Sequence, residues 1–418
     1  MVRLALMLLL LPSLAAAADT VTIVGGKADA TNVVVTIPAL NGEKVGDHVK
    51  LKLPDGKVIS GQVVAPDLLS QAATPQLVFV APSVKAGDVV TLTRGQGDGV
   101  GIVEYKFRVV EGKHVDLVLI NHIQDRGSEN LGKSVLRYMN AKHDATTKDT
   151  HELTFKPFHH VFDPATGKVL LTNGAGLAAD KSLQYPHHRG LFMGWMSIKY
   201  GANQTADNWH GKDGVYTQHE KTLATEAGPV VGRQRSAIHW YGKDGLLFAE
   251  ETREVGAFNV PGGTLIEFAS VVTTKLPKVT LDGDPQHAGV HFRAAMETAT
   301  KYAKETYYLR PDGKDSPGKT RNWDPKTKQG PVNLPWDAMS FKVADKRYTA
   351  LYMDRPENPK EARYSERDYG RFGSYFVYDI TPTTPLKVKY RIWVQEGEMT
   401  VAECENQARG FTDPPRAK

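Results

Sequence analysis

Short runs of alternating apolar and polar residues recur along almost the whole chain, and no long 3.6-residue period competes with them. In the first quarter of the chain, runs such as TVTIVGG, NVVVTIPAL and PQLVFVA are separated by Gly, Pro, Asn and Asp. Alternation buries one face of each strand, and this short spacing is typical of antiparallel sandwiches. The pattern predicts an all-β protein that begins with a small immunoglobulin-like sandwich at residues 19–115.

A second and longer set of alternating runs occupies residues 134–404 and includes LFMGWMSIKY, RQRSAIHWY and LKVKYRIWVQEG. Its length fits a large antiparallel two-sheet β-sandwich, whose strands bury one face and leave the other for solvent or for a ligand cleft. Polar and charged residues crowd between the two sets, which predicts a linker at residues 116–133. We expect residues 405–418 to form a tail.

Residues 1–18 have the pattern of a secretory signal peptide. Arg3 supplies a positive charge, the apolar run from Leu4 to Leu11 follows, and small residues end in Ala-x-Ala. This order predicts cleavage before Asp19 and export to the periplasm or the extracellular space. No apolar stretch approaches the roughly 20 residues that a transmembrane helix needs, so we expect no insertion into a membrane.

Charge and cysteine content exclude two further classes of protein. The chain has 52 Lys and Arg residues against 47 Asp and Glu residues, and the basic residues form no run. A nucleic-acid partner is therefore not expected. Cys404 is the single cysteine, so the chain can form neither an intramolecular disulfide nor a Cys-based zinc site.

The segment QYPHHRGLFMGW at residues 184–195 carries the densest candidate chemistry. If the chain is extended there, His187 and Arg189 project from one face and His188 from the other. Two histidines and an arginine at the entrance of a strand can hold an anion, polarise a carbonyl or ligate a metal. The structural alternative is that one histidine is packed and that Arg189 pairs with a carboxylate.

The local backbone of this segment is also predictable. Pro186 biases Tyr185 toward an extended conformation, because the proline ring crowds the residue before it. Gly190 permits a tight backbone just before an apolar strand that we expect to run from Leu191 to Ile198.

A second polar segment, TADNWHGKDGVYTQHE, follows at residues 205–220 and adds Asp207, Trp209, His210, His219 and Glu220. An aromatic face beside carboxylate and imidazole groups suits a sugar, which stacks on the ring while the polar groups bind hydroxyls or move protons. A structured hairpin is the alternative, since Asn, Trp, Gly and Asp are also common in loops.

Later in the chain, His291 and Arg293 in AGVHFRAAME alternate onto the same side of a predicted strand. The substrate-binding candidates are Tyr185, Trp209, His219, His291 and Arg293. Four of the 14 histidines lie between residues 187 and 219, but no His-x-His or His-Glu-x-x-His spacing occurs among them. A divalent metal held by His and carboxylate is thus an open alternative that the spacing does not single out.

The segments HHVFDPATGKVLLTNG, YPHHRGLFMGW, DNWH, AGVHFRAA and PLKVKYRIWVQEGE together resemble a family of uncharacterised bacterial proteins that carries the label "methane oxygenase PmoA". The resemblance covers roughly residues 134–403, and the Pro-His-His-Arg-Gly stretch is its most specific part. It implies a large sandwich of galactose-mutarotase-like type and a sugar ligand, and it assigns no catalytic residue. Methane oxidation is not expected, because a particulate methane monooxygenase subunit sits in the membrane.

The sequence departs from this family at two positions. Asn208 stands where many members have Phe, and Gln395 stands where many have His. The second departure argues against an obligatory ligand at that late position.

Two functions fit these residues. The first is an exported carbohydrate-active hydrolase, lyase or isomerase, with His187 or His210 as acid, Glu220 or Asp207 as base, and Arg189 fixing a hydroxyl or carboxylate. His188 completes the catalytic candidates. The second is a non-catalytic carbohydrate-binding or scaffold protein. Substitution of single residues separates them, because a binding protein loses affinity alone whereas an enzyme loses turnover.

Overall fold

The computed structural model describes residues 20–95, 103–125, 132–177 and 183–417 of the 418-residue chain. The predicted signal peptide lies outside these residues. Antiparallel strands dominate the described part, which confirms the prediction of an all-β sandwich fold. Among the helices of these ranges, none combines the length and the apolar character needed to cross a membrane.

The N-terminal part contributes six strands, which are β1 (Thr20–Val24), β2 (Ala30–Pro38), β3 (His48–Lys52), β4 (Val58–Val64), β5 (Gln76–Val84) and β6 (Val89–Gly95). They pair in the order β2-β5-β4-β3-β6-β1. Alternate side chains, among them Val33, Leu51 and Phe79, fill a core of their own. The alternating pattern of the sequence thus places one face of each strand inside, as expected.

The next elements are β7 (Val103–Val110), β8 (His114–Asn121), β9 (Lys133–Met139), α1 (Lys148–Thr154), β10 (Phe158–Val161) and β11 (Leu191–Trp195). Strands β7, β8 and β9 pair side by side and continue through β10 to β11 in one sheet. Residues 103–121, which the sequence placed in the small sandwich and the linker, therefore lie in the large one. Alternation shows that a segment is a strand, but it does not show which sheet the strand joins.

The remaining elements complete the large sandwich, and they are β12 (Ser197–Tyr200), β13 (Gln204–Ala206), β14 (Tyr216–Glu226), β15 (Val231–Tyr241), β16 (Leu247–Phe258), β17 (Thr264–Thr273), β18 (Val279–Asp282), β19 (Ala288–Arg293), α2 (Met296–Lys301), β20 (Tyr307–Arg310), β21 (Gly313–Lys314), β22 (Arg321–Asn322), β23 (Trp336–Val343), β24 (Lys346–Asp354), β25 (Arg363–Arg367), β26 (Arg371–Tyr375), β27 (Tyr378–Ile380), β28 (Leu386–Glu396), α3 (Val401–Thr412) and β29 (Arg416–Ala417). Two single turns of 3-10 helix, Lys212–Gly214 and Ala303–Glu305, lie in loops.

Two nine-stranded sheets form the large sandwich. Sheet I has the order β22-β25-β26-β19-β11-β10-β9-β8-β7, and sheet II has the order β14-β15-β16-β17-β28-β24-β23-β20-β21. Leu191 and Phe292 of sheet I pack with Phe268 and Tyr352 of sheet II in the main core. Successive side chains alternate between the faces of a strand, so the other face of sheet I, called here the outer face, carries His291 and its alternate neighbours. A smaller sheet, β13-β12-β18-β27, joins the loops beside it.

The N-terminal sheet shares a core with the large sandwich. Val64 and Val78 pack in one apolar cluster with Val230 and Phe258. The buried side chain of Gln62 accepts hydrogen bonds from the backbone N–H groups of Val230 and the residue after it, at 3.1 and 3.0 Å. These contacts join the two sheets in one folded unit.

The predicted tail is largely ordered. Helix α3 begins at a capping box in which Thr400 and Glu403 exchange side-chain and backbone hydrogen bonds. Cys404 and Ala408 lie buried in the cluster that joins the N-terminal sheet to the sandwich. Strand β29 then pairs with β1 and extends the first sheet to seven strands.

Candidate functional site

Loops at the ends of β10, β13 and β18 and the strand β19 bring five imidazole rings together on the outer face of sheet I. We call this group the histidine cluster, and its members are His187, His188, His210, His287 and His291. Ring centroids lie 4.3 Å apart for His187 and His188, 4.4 Å for His187 and His210, and 5.2 Å for His210 and His287. Trp209 links the cluster to His291, with centroids 4.9 Å apart.

A turn, and not an extended chain, presents the first two histidines. The backbone N–H of His188 donates to the carbonyl oxygen of Tyr185 at 3.0 Å, and Tyr185 has φ of 56°. This differs from the extended conformation expected before Pro186, because the turn lets the Tyr185 ring pack 4.8 Å from the ring of Tyr369. As a result Tyr185 is 42% exposed while His188 is buried.

Gly190 allows this turn to meet sheet I. Its φ is 51°, in the left-handed region that L side chains rarely adopt. A Cβ atom at this position would collide with the carbonyl oxygen of His159 on the neighbouring strand β10. The tight backbone predicted from the sequence is therefore required by both conformation and space.

Two members of the cluster are paired with aspartates three residues before them. Nδ1 of His210 lies 2.8 Å from a carboxylate oxygen of Asp207, and Nδ1 of His287 lies 3.1 Å from both oxygens of Asp284. A carboxylate on Nδ1 fixes the tautomer and directs Nε2 to the other side of the ring. Both rings reach the surface, with side chains 18% and 32% exposed.

Both aspartates are held in the ionised form. Burial raises the pKa of Asp207, but hydrogen bonds from the side chain and backbone of His210 outweigh it and bring the pKa below its ordinary value. The pKa of Asp284 is lowered in the same way, with His287 outweighing burial. In each pair a charged carboxylate therefore orients an imidazole. The imidazole can accept a proton and return it.

The two histidines of the turn are neutral. Burial lowers the pKa of His187 to about 2, and the nearby His210 and Lys156 reinforce the effect. Burial also lowers the pKa of His188 far below its ordinary value, with His187 and Arg371 adding to it. Among the described residues, Nε2 of His187 and both ring nitrogens of His188 have no hydrogen-bond partner. Buried polar atoms normally have partners, so these three nitrogens are exceptions within the fold.

His291, a predicted substrate-binding residue, has a different role. Arg371 donates from Nη1 to its Nδ1 at 2.9 Å, and its Nε2 lies 2.8 Å from the carbonyl oxygen of Ala288. Because arginine can only donate, Nδ1 is the acceptor and Nε2 carries the hydrogen. Both nitrogens are occupied, so His291 positions the groups around it.

Arg189 and Trp209 are more deeply buried than the sequence suggested. The guanidinium of Arg189 lies over the Phe155 ring at 4.1 Å and donates to the carbonyl oxygen of Glu152. Trp209 is 0% exposed, with ring centroids of Phe192 and His291 at 4.8 and 4.9 Å. Trp209 therefore offers no open face to a sugar, and Tyr185 is the exposed aromatic side chain at the rim.

Arg293 faces the cluster from β19. Its Nη1 donates to the carbonyl oxygens of Ala294 and Tyr369, and its Cζ lies 5.0 Å from the centre of the Tyr369 ring. Burial lowers the pKa of Arg293 to about 10, so it remains a cation at neutral pH.

His219 and Glu220 are not part of this cluster. The pairing of β14 shifts register between His219 and Lys221, so the faces of the two side chains follow from their contacts. Nδ1 of His219 lies 3.2 Å from the hydroxyl of Tyr138, whose ring stacks on His159 on the inner face of sheet I. Glu220 lies on the outer face of sheet II, where it accepts a hydrogen bond from Tyr241 at 3.3 Å. Closeness along the chain thus did not predict closeness in space.

Sequence reasoning did not single out Asp284, His287, Lys156 or Tyr369. A signal for the first two was present, because Asp-Asn-Trp-His at residues 207–210 and Asp-Pro-Gln-His at residues 284–287 have the same spacing. Lys156 gave no such signal. Its Nζ donates to the carbonyl oxygen of Trp209 at 2.6 Å and lies 4.4 Å from the Phe192 ring.

The alternative of a bound divalent metal ion concerns His210 and His287. His210 and His287 have the carboxylate partners that metal-bound imidazoles commonly have. In the ranges that the structure describes, however, no group of three or more His, Cys, Asp or Glu side chains is arranged to hold a metal ion. The geometry therefore assigns no metal ligand.

Comparison with known proteins gives one family and distant structural neighbours. A model of DUF6807, described as a family of unknown function, matches residues 129–409. An alpha-mannosidase from Enterococcus faecalis V583 is similar with a TM-score of 0.45 and 10% identity, over 96% of this chain and 45% of that chain. The GH36 alpha-galactosidase AgaA from Geobacillus stearothermophilus gives 0.33 and 10%, over 73% and 41%. The chain spans less than half the length of either protein. No curated protein matches it.

Proposed function

The chain belongs to DUF6807, a family of unknown function, and we propose that it is a carbohydrate-active enzyme that transfers protons on a sugar or glycoside. The observation that carries this proposal is the presence of two Asp–His pairs, Asp207–His210 and Asp284–His287, whose rings lie 5.2 Å apart. Two imidazoles at this distance can reach neighbouring atoms of one sugar ring.

In this function the two pairs divide acid and base work. One imidazole takes a proton through Nε2, and the other delivers a proton from Nε2 to an oxygen of the substrate. Each aspartate holds its ring in the required tautomer and stabilises the imidazolium that forms. General acid–base catalysis of this kind contributes about 10²–10⁴-fold to a rate.

These roles revise the earlier assignment. Asp207 is an orienting carboxylate and not the base, because it is already bound to His210. His187, with a pKa of about 2, binds the substrate through its unpartnered Nε2 and does not act as an acid. Glu220 has no role at this site, since it lies on the outer face of sheet II.

The state of the two carboxylates favours a lyase or an isomerase over a hydrolase. Most glycoside hydrolases use two carboxyl groups that face the glycosidic bond directly. Here Asp207 and Asp284 are each engaged by a histidine. The exposed Tyr185 ring at the rim and the unpartnered nitrogens of His187 and His188 supply stacking and hydrogen bonds for a sugar.

We propose that the protein acts outside the cytoplasm, on the basis of the signal pattern at residues 1–18. The activity in the "methane oxygenase PmoA" label is not part of the proposal, because the chemistry at the cluster is proton transfer by imidazoles.

The test is turnover of a panel of sugars and glycosides by the wild type and three variants. His210→Asn and His287→Asn keep a polar side chain but remove the titrating ring, so kcat should fall about 100-fold while substrate binding persists. His48→Asn, on β3 of the N-terminal sheet, is the matched control and should turn over normally. Wild-type turnover by both site variants would contradict the proposal. Binding without any conversion by the wild type would favour the non-catalytic alternative.

A further inference from the structure

Three buried basic side chains lie beside Trp209 or Tyr369, the two rings that flank His188, and lack a carboxylate partner, namely Lys156, Arg293 and Arg371. In the part of the chain that the structure describes, none of the three forms an ion pair with Asp or Glu, and they donate instead to carbonyl oxygens, hydroxyls and an imidazole.

Three of the other buried arginines of this protein are paired. Arg253 lies 2.7 Å from Glu251, Arg310 lies 2.7 Å from Glu366, and Arg391 lies 2.8 Å from Glu267. Burying an unpaired charge is costly, so buried cations normally have a counter-ion. The histidine cluster is the place where this pairing is missing.

Two of the cations also face each other across neighbouring strands. Arg293 on β19 and Arg371 on β26 are direct cross-strand partners. Like charges in this position destabilise a sheet. Both guanidinium groups lie by the ring of Tyr369, at 5.0 and 5.9 Å from its centre. Such contacts contribute about 0.5–2 kcal/mol, but they do not neutralise the charge.

Unpartnered hydrogen-bond donors accompany the unpaired charge. Within the described ranges, buried Nε of Arg293, Nε1 of Trp209, Nδ2 of Asn208 and Nη1 of Arg189 have no acceptor. These groups can only donate. The carboxylates nearest to this group, Asp207 and Asp284, are engaged by His210 and His287. The unpartnered donors and the unpaired basic side chains therefore lie together, and an anionic group would satisfy both.

We propose that the substrate of this site is an anionic sugar, of which a uronate is the simplest, and that its carboxylate supplies the negative charge that Lys156, Arg293 and Arg371 lack. That the ligand is a sugar rests on the proposed function. That the ligand carries a negative charge rests on the unpaired basic side chains. In a water-poor site a carboxylate interacts with such cations far more strongly than in bulk water. The same charges help proton transfer, since a neutralised carboxylate makes the neighbouring C–H more acidic.

Calorimetric titration of the full chain tests the charge directly. D-glucuronate and D-galacturonate should bind at least about tenfold more tightly than D-glucose and D-galactose, a difference of about 1.4 kcal/mol. Inorganic sulfate and phosphate form a third arm and should compete with the uronates. Equal affinity for the neutral sugars and the uronates would overturn the proposal, and so would binding of the inorganic anions without any binding of a uronate.

Lys156→Met tests whether the uronate carboxylate binds next to Lys156. Lys156→Met keeps the length of the side chain and its contact with Phe192, so uronate affinity should fall about tenfold while affinity for the neutral sugars stays the same. The matched control is Lys275→Met, which removes one positive charge from a side chain that is 88% exposed. Unchanged uronate affinity in Lys156→Met would overturn the assignment. If this variant does not fold, the comparison of uronates with neutral sugars on the wild type decides.

A third variant separates this inference from the proposed function. His210→Asn should keep the preference for uronates while losing turnover. Full turnover by His210→Asn would refute the proton-transfer role and leave the preference for anions standing. Equal binding of neutral and anionic sugars would refute the anionic substrate and leave the proton-transfer role standing.

Discussion

Mild acid should destabilise this protein because it buries neutral histidines. Burial lowers the pKa of His187 to about 2 and that of His160 to about 4, from an ordinary value of 6.5. In the unfolded chain the same rings take up protons near pH 6.5. Below that pH the unfolded state binds more protons than the folded state, so stability is full above pH 6.5 and is lost as the pH falls.

The magnitude follows from the shifts. At pH 5 each of the two rings stays neutral in the folded protein and is protonated in the unfolded chain, which costs about 2 kcal/mol per ring. Together they remove about 4 kcal/mol, a large part of the roughly 5–15 kcal/mol by which a typical protein is stable. Burial also lowers the pKa of His188 and His291 far below the ordinary value, so the loss acts in the same direction there.

Urea unfolding at pH 7.5, 6.5, 5.5 and 5.0 measures this dependence. His187→Gln removes one buried imidazole, so the loss of unfolding free energy between pH 7.5 and 5.0 should shrink by about 2 kcal/mol. Tyr185→Phe alters the neighbouring rim without changing the number of imidazoles and should keep the wild-type slope. A flat stability from pH 7.5 to 5.0, or a wild-type slope in His187→Gln, would refute the reasoning.

Three further predictions concern proton uptake on binding, the N-terminal sheet and the signal peptide. Uronate binding should take up protons, because an anion raises the lowered pKa of His188; calorimetry in buffers of different ionisation enthalpy measures this, and zero uptake would contradict it. A chain of residues 103–418 should be insoluble, because it exposes Val230 and Phe258, which pack on the N-terminal sheet; a soluble product with a cooperative melt would show that the large sandwich folds alone. Intact mass of the exported protein should correspond to a chain starting at Asp19, whereas a mass that includes Met1 would contradict export with cleavage.

The sequence predicted where strands occur, but it did not predict which strands pair or which sheet each one joins. The apolar run from Leu191 onward was predicted as one strand, but it breaks at Met196 into β11 and β12, which join different sheets. An apolar run does not show such a break, because both pieces are buried. Helix α3 went unnoticed, although the Thr400–Glu403 spacing of its capping box is visible in the sequence.

At the candidate site, too, the sequence did not predict which distant segments come together. Polar residues beside a buried strand drew attention to His187, His188 and His210, since such groups need partners. His287 lies far along the chain and reaches them only because β19 pairs with β11, a contact that no local pattern encodes. His219 lies close to His210 in sequence but on a strand of sheet II.

Proton transfer by the two Asp–His pairs is tested most directly by deuterium incorporation. Wild-type protein is incubated with a bound uronate or its glycoside in D₂O, and the ring C–H signals are followed by proton NMR. We predict that one C–H signal disappears as deuterium or product replaces it, and that this change is lost when His210→Asn and His287→Asn are combined. Binding without exchange or conversion by the wild type, or an unchanged rate in the double variant, would contradict the assignment of these pairs as the proton-transferring groups.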